Sequence, residues 1–423
     1  MSRGRRRSAE SPTLIGNGVL RNEQSGERPE YFECSKVCFW CILVFMNEFY
    51  LESLNEPALT VMRDVCGVKT GERVLIVTNP QKDVLSVSMA LNDAATKLGA
   101  ASTMIVQEEK TLIDFADKSV IAAIATKPDV VLSISANKLG KDEEAMKKPF
   151  IHNGAEYPHI FDYLLEGTKE IRSFWTPGMT VDMFVRTACI DYALLDERCQ
   201  KLSKRFENAV SVSVTAPGGT DILVPVENRK PFSDDGKFDK AGTGGNIPAG
   251  EVFISPVVGG CEGVIVFDGS MSVTEGDIGI DEPIICTVKA GFVEEVYNKA
   301  GNPPAKDSEA GKLLSSILGA EEKADEMLEK GIFSAEKAAS YKKNARNIGE
   351  LGIGLNPSAT ISGNMLEDEK AFKTCHFAIG SNYDNDAESF IHLDGVVKNP
   401  TIVINYKDGS SFVVEKDGVL QDL

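Results

Sequence analysis

Apolar and polar positions alternate with two different periods from residue 72 onward, and this pattern predicts an α/β region. Short apolar runs have the length and β-branched content of buried strands, at 74–78, 102–107 and 130–135. Segments with helical spacing connect them, at 83–98 and 112–126. Strands joined through helices run in the same direction, so the pattern predicts a parallel, doubly wound sheet. Residues 79–82, after the first strand, hold no glycine, which disfavours a dinucleotide site there.

The second half of the chain predicts a mixed α+β, β-rich domain. Glycines divide it into short strand-like runs, at 210–215, 221–226, 251–255 and 261–268. We expect a charged helix over 183–208 to bridge the halves, a helical stretch over 308–344 to interrupt the strands, and Asp408-Gly409 to form a hairpin turn. The predicted organisation is an extension at 1–46, an α/β domain at 47–205 and a β-rich, metal-binding domain at 206–423 with a helical insertion at 305–345.

The N-terminal extension is polar and arginine-rich over its first 30 residues and lacks periodicity, so we expect disorder there. The apolar stretch that follows places Cys34, Cys38 and Cys41 in the C-x3-C-x2-C spacing by which radical enzymes hold a four-iron cluster. Such a motif normally follows a barrel strand, whereas a polar tail precedes it here, and we interpret the spacing as chance. Met46 begins a cleaner sequence, which favours a non-native extension before it.

Charge and cysteine content exclude several classes of partner. The 423 residues include 63 acidic and 45 basic side chains, for a formal charge of −18, so binding to a phosphate backbone would begin from repulsion. No apolar run reaches the roughly 20 residues that span a bilayer. Nine cysteines, an odd number without framework spacing, indicate a reducing cytoplasm. We therefore expect a cytoplasmic protein with neither nucleic-acid nor membrane partners.

Two of the four histidines lie in a stretch rich in glycine and acidic residues. A strand conformation would put His392 and Asp394 on one face, where both could bind the same cation. An ordinary charge pair on a surface strand is the alternative, and this motif alone favours neither. His376 lies among apolar residues before a glycine, which by itself is typical of a structural histidine. Tyr383 follows seven residues later in an acidic loop and could donate a hydrogen bond to an oxyanion.

Two glutamates complete the candidate set. Glu251 begins a strand after Pro248-Ala249-Gly250, and Glu350 lies between Gly349 and Gly352. Glycine permits close backbone approach, which suits a rigid ligand loop, although each segment alone would also fit a solvent-facing turn. The five residues as a set favour a metal site.

These segments resemble the family of metallo-aminopeptidases that includes aminopeptidase T and the thermophilic aminopeptidases. The resemblance covers about residues 54–416 and rests on residues 172–178, 215–220, 248–253, 349–357, 366–370, 376–380 and 392–394. It implies a homodimer that removes N-terminal residues from peptides with a free N-terminus, using two divalent ions, zinc, cobalt or manganese. It assigns Glu251, Glu350, His376, His392 and Asp394 to the ions and Tyr383 to the active site.

The resemblance leaves the division of ligands open. We expect Glu350 to bridge the ions and take part in catalysis, with Glu251 and His376 on one ion and His392 and Asp394 on the other. The same family fold resembles a ring-cleaving dioxygenase of dihydroxypyridine breakdown, whose single Fe(II) needs two histidines and an aspartate. His376, His392 and Asp394 could form that triad, but Glu251 and Glu350 would then be superfluous. A non-catalytic member of the family is a third alternative.

Overall fold

A computed structural model describes residues 52–111 and 114–422 of the chain. The predicted extension at 1–46, with Cys34, Cys38 and Cys41, lies outside these residues. The first described region alternates strands and helices after the 3-10 turn Glu52–Leu54 and the π-helical turn Val61–Val65. Its elements, with a second π-helical turn at Tyr163–Gly167, are α1 Asn55–Thr60, β1 Arg73–Thr78, α2 Lys82–Lys97, β2 Ala101–Val106, α3 Lys118–Ala125, β3 Val130–Ile134, α4 Glu143–Lys147, β4 Phe150–His152, β5 Ala155–Tyr157, α5 Ile160–Asp162, β6 Arg172–Trp175, α6 Val181–Thr187 and α7 Tyr192–Arg205.

The second region is dominated by short strands, with one pair of helices inserted between them. Its elements are β7 Ala209–Thr215, β8 Asp221–Pro225, β9 Phe232–Asp234, β10 Gly244–Asn246, β11 Glu251–Ile254, β12 Glu262–Phe267, β13 Ser270–Val273, β14 Gly276–Gly279, β15 Ile284–Lys289, β16 Phe292–Tyr297, α8 Glu309–Glu329, α9 Ala335–Asn344, β17 Ile348–Gly354, α10 Met365–Asp368, β18 Thr374–Gly380, β19 His392–Lys398, β20 Thr401–Tyr406, β21 Ser411–Lys416 and β22 Val419–Leu420.

A parallel five-stranded sheet organises the first region, in the order β10-β6-β3-β1-β2. Strand β3 is buried at every position and β1 at all but its first, because helices and loops cover both faces of the sheet. The edge strand β10 comes from beyond the predicted boundary at residue 205 and pairs in parallel with β6. The second half of the chain therefore contributes a strand to the first sheet. The domain boundaries themselves stay a prediction.

Two antiparallel sheets form the second region. One has seven strands in the order β14-β13-β19-β18-β17-β11-β9, and the other has eight in the order β16-β15-β12-β8-β7-β20-β21-β22. Apolar residues of both regions join one hydrophobic core that includes Ile76, Phe184, Val212 and Phe377. The predicted fold class, a parallel α/β region followed by a β-rich region, is confirmed.

Three predicted helices have different limits in the structure. The helix expected over 112–126 begins only at Lys118, because the side chain of Asp114 accepts hydrogen bonds from Thr111 and Phe115 forms a bridge to Lys141. These contacts hold the preceding residues in a loop.

The helices expected over 183–208 and 308–344 are each divided in two. Asp191 caps a new helix by accepting a hydrogen bond from the Leu194 N–H, which separates α6 from α7. Ser334 caps α9 in the same way, after Gly331 has left the helical conformation with φ of 67°. Local capping therefore overrides a continuous helical period. Within the described part of the chain, no helix is long and apolar enough to cross a membrane.

Candidate metal centre

The five predicted ligands come from four adjacent strands of the seven-stranded sheet. Glu251 begins β11, Glu350 lies on β17, His376 on β18, and His392 and Asp394 on β19. The antiparallel register sets residues without a side chain, or with only a methyl group, opposite them: Gly354 faces Glu251, Gly352 faces His376, Ala378 faces both Glu350 and Asp394, and Gly380 faces His392. These small residues leave room above the sheet, so the long side chains converge there.

Glu350 lies between the two histidines. Its Oε1 is 3.0 Å from Nε2 of His376, and its Oε2 is 3.5 Å from Nε2 of His392. Asp394 Oδ1 is 3.4 Å from the same His392 nitrogen, and Glu251 Oε2 is 3.4 Å from the His376 nitrogen. The sheet therefore brings all five predicted residues to one centre.

The orientation of His392 is fixed by its second nitrogen. Nδ1 lies 2.9 Å from the carbonyl oxygen of Ser381, which can only accept, so Nδ1 carries the proton and donates. In the neutral ring, the lone pair then belongs to Nε2, which faces the carboxylates. This arrangement is typical of a histidine prepared to bind a metal, where the outer hydrogen bond sets the tautomer.

His376 depends on the glycine beside it. A Cβ at Gly352 would lie 2.0 Å from both Cε1 and Nε2 of the His376 ring. The imidazole thus occupies the space that any other residue at position 352 would fill.

The cluster is buried and has more oxygen atoms than hydrogen-bond donors. Glu251, Glu350 and His376 are nearly inaccessible, at 6%, 4% and 0% exposure. One buried carboxylate oxygen each of Glu251, Glu350 and Asp394 has no hydrogen-bond partner among the described residues. Leaving such oxygens unpaired costs several kcal/mol, roughly, unless a cation compensates them. The residues present therefore fit a metal group.

The structure adds three residues that sequence reasoning missed. Lys370 is fully buried, and its ammonium lies 2.7 Å from Glu251 Oε1, 3.7 Å from Asp234 Oδ2 and against Glu369 Oε1. By binding one oxygen of Glu251, Lys370 leaves the other directed toward His376. The segment 366–370 carried part of the family resemblance, but its spacing gave no sign that the lysine would be buried.

The electrostatics reflect this concentration of charge. Burial alone would raise the pKa of Glu350, but its interactions with His376 and His392 outweigh burial and hold that pKa below its usual value. Burial alone would lower the pKa of His376, yet the hydrogen bond to Glu350 and the charge of Glu251 raise it to about 9. Burial raises the pKa of Glu369 to about 8, although the charges of Lys370 and His376 act in the opposite direction. Ionised carboxylates thus coexist here with groups that carry positive charge.

Three sets of side chains could each hold a cation, because their ligand atoms lie within 4.8 Å of one another. The sets are Glu251–Glu350–His376, Glu350–His392–Asp394 and Glu369–His376–Asp394. Glu350 belongs to the first two sets, and neither of these contains both histidines. The pairing predicted from sequence, with Glu350 between two half-sites, matches these distances, while the metal ligation itself stays a prediction.

Tyr383 stands at the open side of the cluster. Its ring meets the His392 ring edge-on, with centroids 5.3 Å apart, and packs against Phe253 at 5.0 Å. Arg229 holds the loop that carries Tyr383 through a 2.8 Å contact with Asp386. The Tyr383 ring is half exposed and borders the cluster at His392.

Among the described residues, the two other histidines and Cys375 belong to none of the three ligand sets. His159 in the first region accepts a hydrogen bond from the Phe161 N–H and contacts the Gly140 carbonyl. His152 belongs to the short strand β4. Cys375 is buried in the hydrophobic core, and burial raises the pKa of its thiol.

Comparison with known proteins identifies the class of fold. The chain shares its architecture, a parallel α/β region followed by a β-rich region, with two solved enzymes. One is a 2,5-dihydroxypyridine dioxygenase from Pseudomonas putida KT2440, with a TM-score of 0.61, 16% identity, and coverage of 88% of this chain and 99% of that chain. The other is wild-type AmpT from Thermus thermophilus, with a TM-score of 0.57, 17% identity, and coverage of 88% and 99%.

A particular family is matched over a shorter span. Residues 183–302 match the family described as NicX, 2,5-dihydroxypyridine 5,6-dioxygenase. No curated protein sequence matches the chain. The predicted resemblance to aminopeptidase T is thus confirmed at the level of the fold, which is common to an aminopeptidase and a dioxygenase.

Proposed function

We propose that the protein is a metal-dependent aminopeptidase that removes N-terminal residues from peptides with two divalent ions, zinc, cobalt or manganese. The observation that carries this proposal is the position of Glu350, which directs one oxygen toward His376 and the other toward His392. A carboxylate shared by two ligand sets has the disposition of a bridging ligand. Nitrogen and oxygen ligands together suit the three metals named.

The residues around the centre support hydrolysis. Two ions bound here would lower the pKa of a shared water and stabilise the tetrahedral oxyanion. We infer that Tyr383, whose ring contacts the His392 ring, would donate a hydrogen bond to that oxyanion. Glu369 lies outside the two half-sites but faces His376 and Asp394, and we propose that it carries a proton to the leaving amine. The surplus of carboxylates would also attract the free amino group of a peptide.

A dioxygenase is the second candidate, and the match of residues 183–302 to the dihydroxypyridine dioxygenase family favours it. Its single Fe(II) would take His376, His392 and Asp394 as a facial triad. Against it stands the grouping of ligand atoms, because the two histidines belong to different half-sites. Glu251 and Glu350 also supply two buried acids that one iron with three protein ligands does not require.

Metal content and activity together distinguish the two candidates. The protein should be purified without added metal, reconstituted anaerobically with Zn²⁺, Co²⁺, Mn²⁺ or Fe²⁺, and analysed for metal per chain. We expect two ions per chain and hydrolysis of leucyl and other aminoacyl chromogenic substrates, with no cleavage of the same substrates when N-acetylated. One iron per chain with oxygen uptake on a dihydroxypyridine would establish the dioxygenase instead. Two ions with no hydrolysis would identify a non-catalytic protein that retains the centre.

We also propose a homodimer in a reducing cytoplasm, as the family resemblance and the cysteine content suggest. Size-exclusion chromatography with light scattering should give twice the chain mass under reducing conditions. A monomer at micromolar concentration would contradict the proposed assembly without affecting the proposed reaction.

A further inference from the structure

A cavity of about 470 Å³ lies in the first region, at the carboxyl ends of the parallel strands. Its lining includes Ser133 and Ser135 at the end of β3, and Trp175 at the end of β6. In open α/β sheets, ligands bind outside the carboxyl ends of the strands, at the turning point where successive strands are added on opposite sides of the first strand. Here β1 has β2 on one side and β3 on the other, and the cavity lies at the ends of β3 and the next strand, β6, beside that turning point.

Apolar and aromatic side chains form most of the wall. Trp175 and Phe161 meet edge to face, with centroids 6.3 Å apart and planes at 82°, and the apolar lining also includes Leu139, Met146 and two prolines. Met146 is 49% exposed, an unusual position for a large apolar side chain beside a cavity. This combination of volume and lining is typical of sites for small organic molecules.

The loop that closes the cavity is held rigidly. The buried side chain of Gln107 donates a 2.8 Å hydrogen bond to the carbonyl of Leu139, and the N–H of Lys138 donates to the carbonyl of Lys110. His159, on the opposite wall, is fixed at both ring nitrogens by Gly140 and Phe161. A cavity with fixed walls loses little entropy when a ligand enters.

Charge at the rim selects the ligand. Lys138 and Lys141 line the cavity together with two acids, Asp142 and Asp162. Both oxygens of Asp142 accept hydrogen bonds, from the N–H groups of Ala145 and Ile160, and burial raises the pKa of Asp162, which favours its neutral form. Two ammonium groups against one charged carboxylate leave an excess of positive charge beside the apolar wall, which complements a ligand with one anionic group and a flat apolar body.

We propose that this cavity binds a planar, ring-containing carboxylate, in a site separate from the candidate metal centre. The ring would stack within the wall formed by Trp175, Phe161 and Leu139, and the carboxylate would lie between Lys138 and Lys141. A multiply charged phosphate fits less well, because the acidic residues Glu143 and Glu144 begin the helix that follows Asp142. The proposal is independent of the reaction at the metal centre.

Tryptophan fluorescence tests the site directly, because Trp40 and Trp175 are the chain's two tryptophans. In the full-length Trp40→Phe protein, phenylacetate should change the emission of Trp175 with a saturable curve. Phenyl phosphate, benzyl alcohol and acetate should each bind at least about 10-fold more weakly, since each lacks one element of the proposed ligand. Isothermal titration calorimetry on the unaltered chain should give the same affinity order.

Substitution of the two lysines at the rim tests whether they contribute to binding. Lys138→Ala with Lys141→Ala should weaken phenylacetate binding about 10-fold or more, whereas Lys118→Ala, an exposed lysine of the same region, should leave it unchanged. Both substitutions are at partly or fully exposed positions, and circular dichroism will confirm that each variant folds. Absence of saturable binding by both methods, or equal binding to the double variant, would overturn the proposal. Tighter binding of phenyl phosphate than of phenylacetate would overturn the assignment to a carboxylate.

Discussion

The two antiparallel sheets of the second region bury acidic side chains in opposite ways. The seven-stranded sheet gathers Glu251, Glu350 and Asp394 around two imidazoles and one ammonium, and the pKa values of Glu350 and Asp394 are held below their usual range. The eight-stranded sheet buries Glu415 alone, and burial raises its pKa to about 8. Glu350 and Asp394 therefore stay ionised beside the imidazoles, whereas Glu415 favours the neutral acid. Asp234, at the edge of the seven-stranded sheet, resembles Glu415, because burial raises its pKa to about 8.

This difference distinguishes a candidate metal site from an isolated buried carboxylate. An isolated buried carboxylate becomes neutral because desolvation penalises its charge. Carboxylates that stay charged inside a protein need cationic partners. Among the described residues, five acids share three basic partners, Lys370, His376 and His392; the acids are Asp234, Glu251, Glu350, Glu369 and Asp394. A divalent cation would restore the balance, which is why the charged cluster, and not burial alone, supports the metal proposal. Four substitutions test the comparison, in order of decreasing expected effect.

Glu350→Gln should have the largest effect, because it removes the charge shared by both half-sites. We expect kcat/KM for aminoacyl substrates to fall by at least about 1,000-fold and the bound metal to drop below two ions per chain. Glu415→Gln is the matched control, since it alters an equally buried glutamate outside the cluster and should retain activity. Full activity in Glu350→Gln would show that Glu350 is not a ligand.

Lys370→Met should follow, because it leaves Glu251 and Glu369 without their buried cation. Breaking a buried ion pair typically costs about 3–5 kcal/mol, and chemical denaturation of the metal-free protein should register a loss of that size. Lys323→Met is the control, because it breaks an exposed pair with Glu326 that solvent screens, so little stability should be lost. If both variants lost the same stability, the cluster would not depend on Lys370.

Gly352→Ala should displace the His376 ring, because the new Cβ would lie 2.0 Å from it. We expect metal affinity to fall by about 10–100-fold, the effect of disturbing a ligand's support, as measured by competition with a chromogenic chelator. Gly319→Ala on helix α8 is the control: its Cβ meets nothing within 4 Å, so metal binding should be unaltered and helix stability should rise by up to about 1 kcal/mol. Unchanged affinity in Gly352→Ala would remove His376 from the ligand set.

Glu415→Gln should change the pH dependence of stability. Because the folded protein raises the pKa of Glu415 from 4.5 to about 8, this residue's contribution is fully present below pH 4.5 and is lost as pH rises toward 8. The unfolding free energy of Glu415→Gln relative to the unaltered protein should therefore increase by up to about 1.4 kcal/mol per pH unit in that window. Denaturation at pH 5 and pH 8 measures the change. A pH-independent difference would show that Glu415 is ionised when folded.

Local patterns predicted the parts of the molecule that depend on neighbours in sequence. The apolar runs around Val74 and Val130 became parallel strands, and the two-residue spacing of His392 and Asp394 placed both on one face of β19. The centre also depends on register, which sequence spacing does not reveal. The pairs Glu350–Ala378 and Gly352–His376 belong to one continuous register, which puts Glu350 on the face that His376 occupies, and a β-bulge interrupts the pairing only before Glu350.

The site residues that the sequence did not predict take part in contacts across long sequence separations. Lys370 meets Glu251 from 119 positions away, and Asp234 reaches the same ammonium from a strand of only three residues. A Lys in a charged stretch such as 366–370 is ordinarily solvated, so neither composition nor periodicity indicated its burial. The divided helices had visible signals in Asp191 and Ser334, which cap new helices but also occur in ordinary helical stretches.

The edge strand β10 connects the two halves of the molecule through a shared sheet. It completes the parallel sheet beside β6, and only four residues separate its end from the start of β11 at Glu251. Gly250 is bonded on both sides of this link, to Asp234 and to Leu355. A fragment ending at residue 205 would lack a strand of its own sheet, and a fragment beginning at 206 would expose β10 as a loose edge. We therefore expect that neither half folds when expressed without the other. A ligand that moves the first sheet would also move Glu251, the first residue of the candidate metal centre.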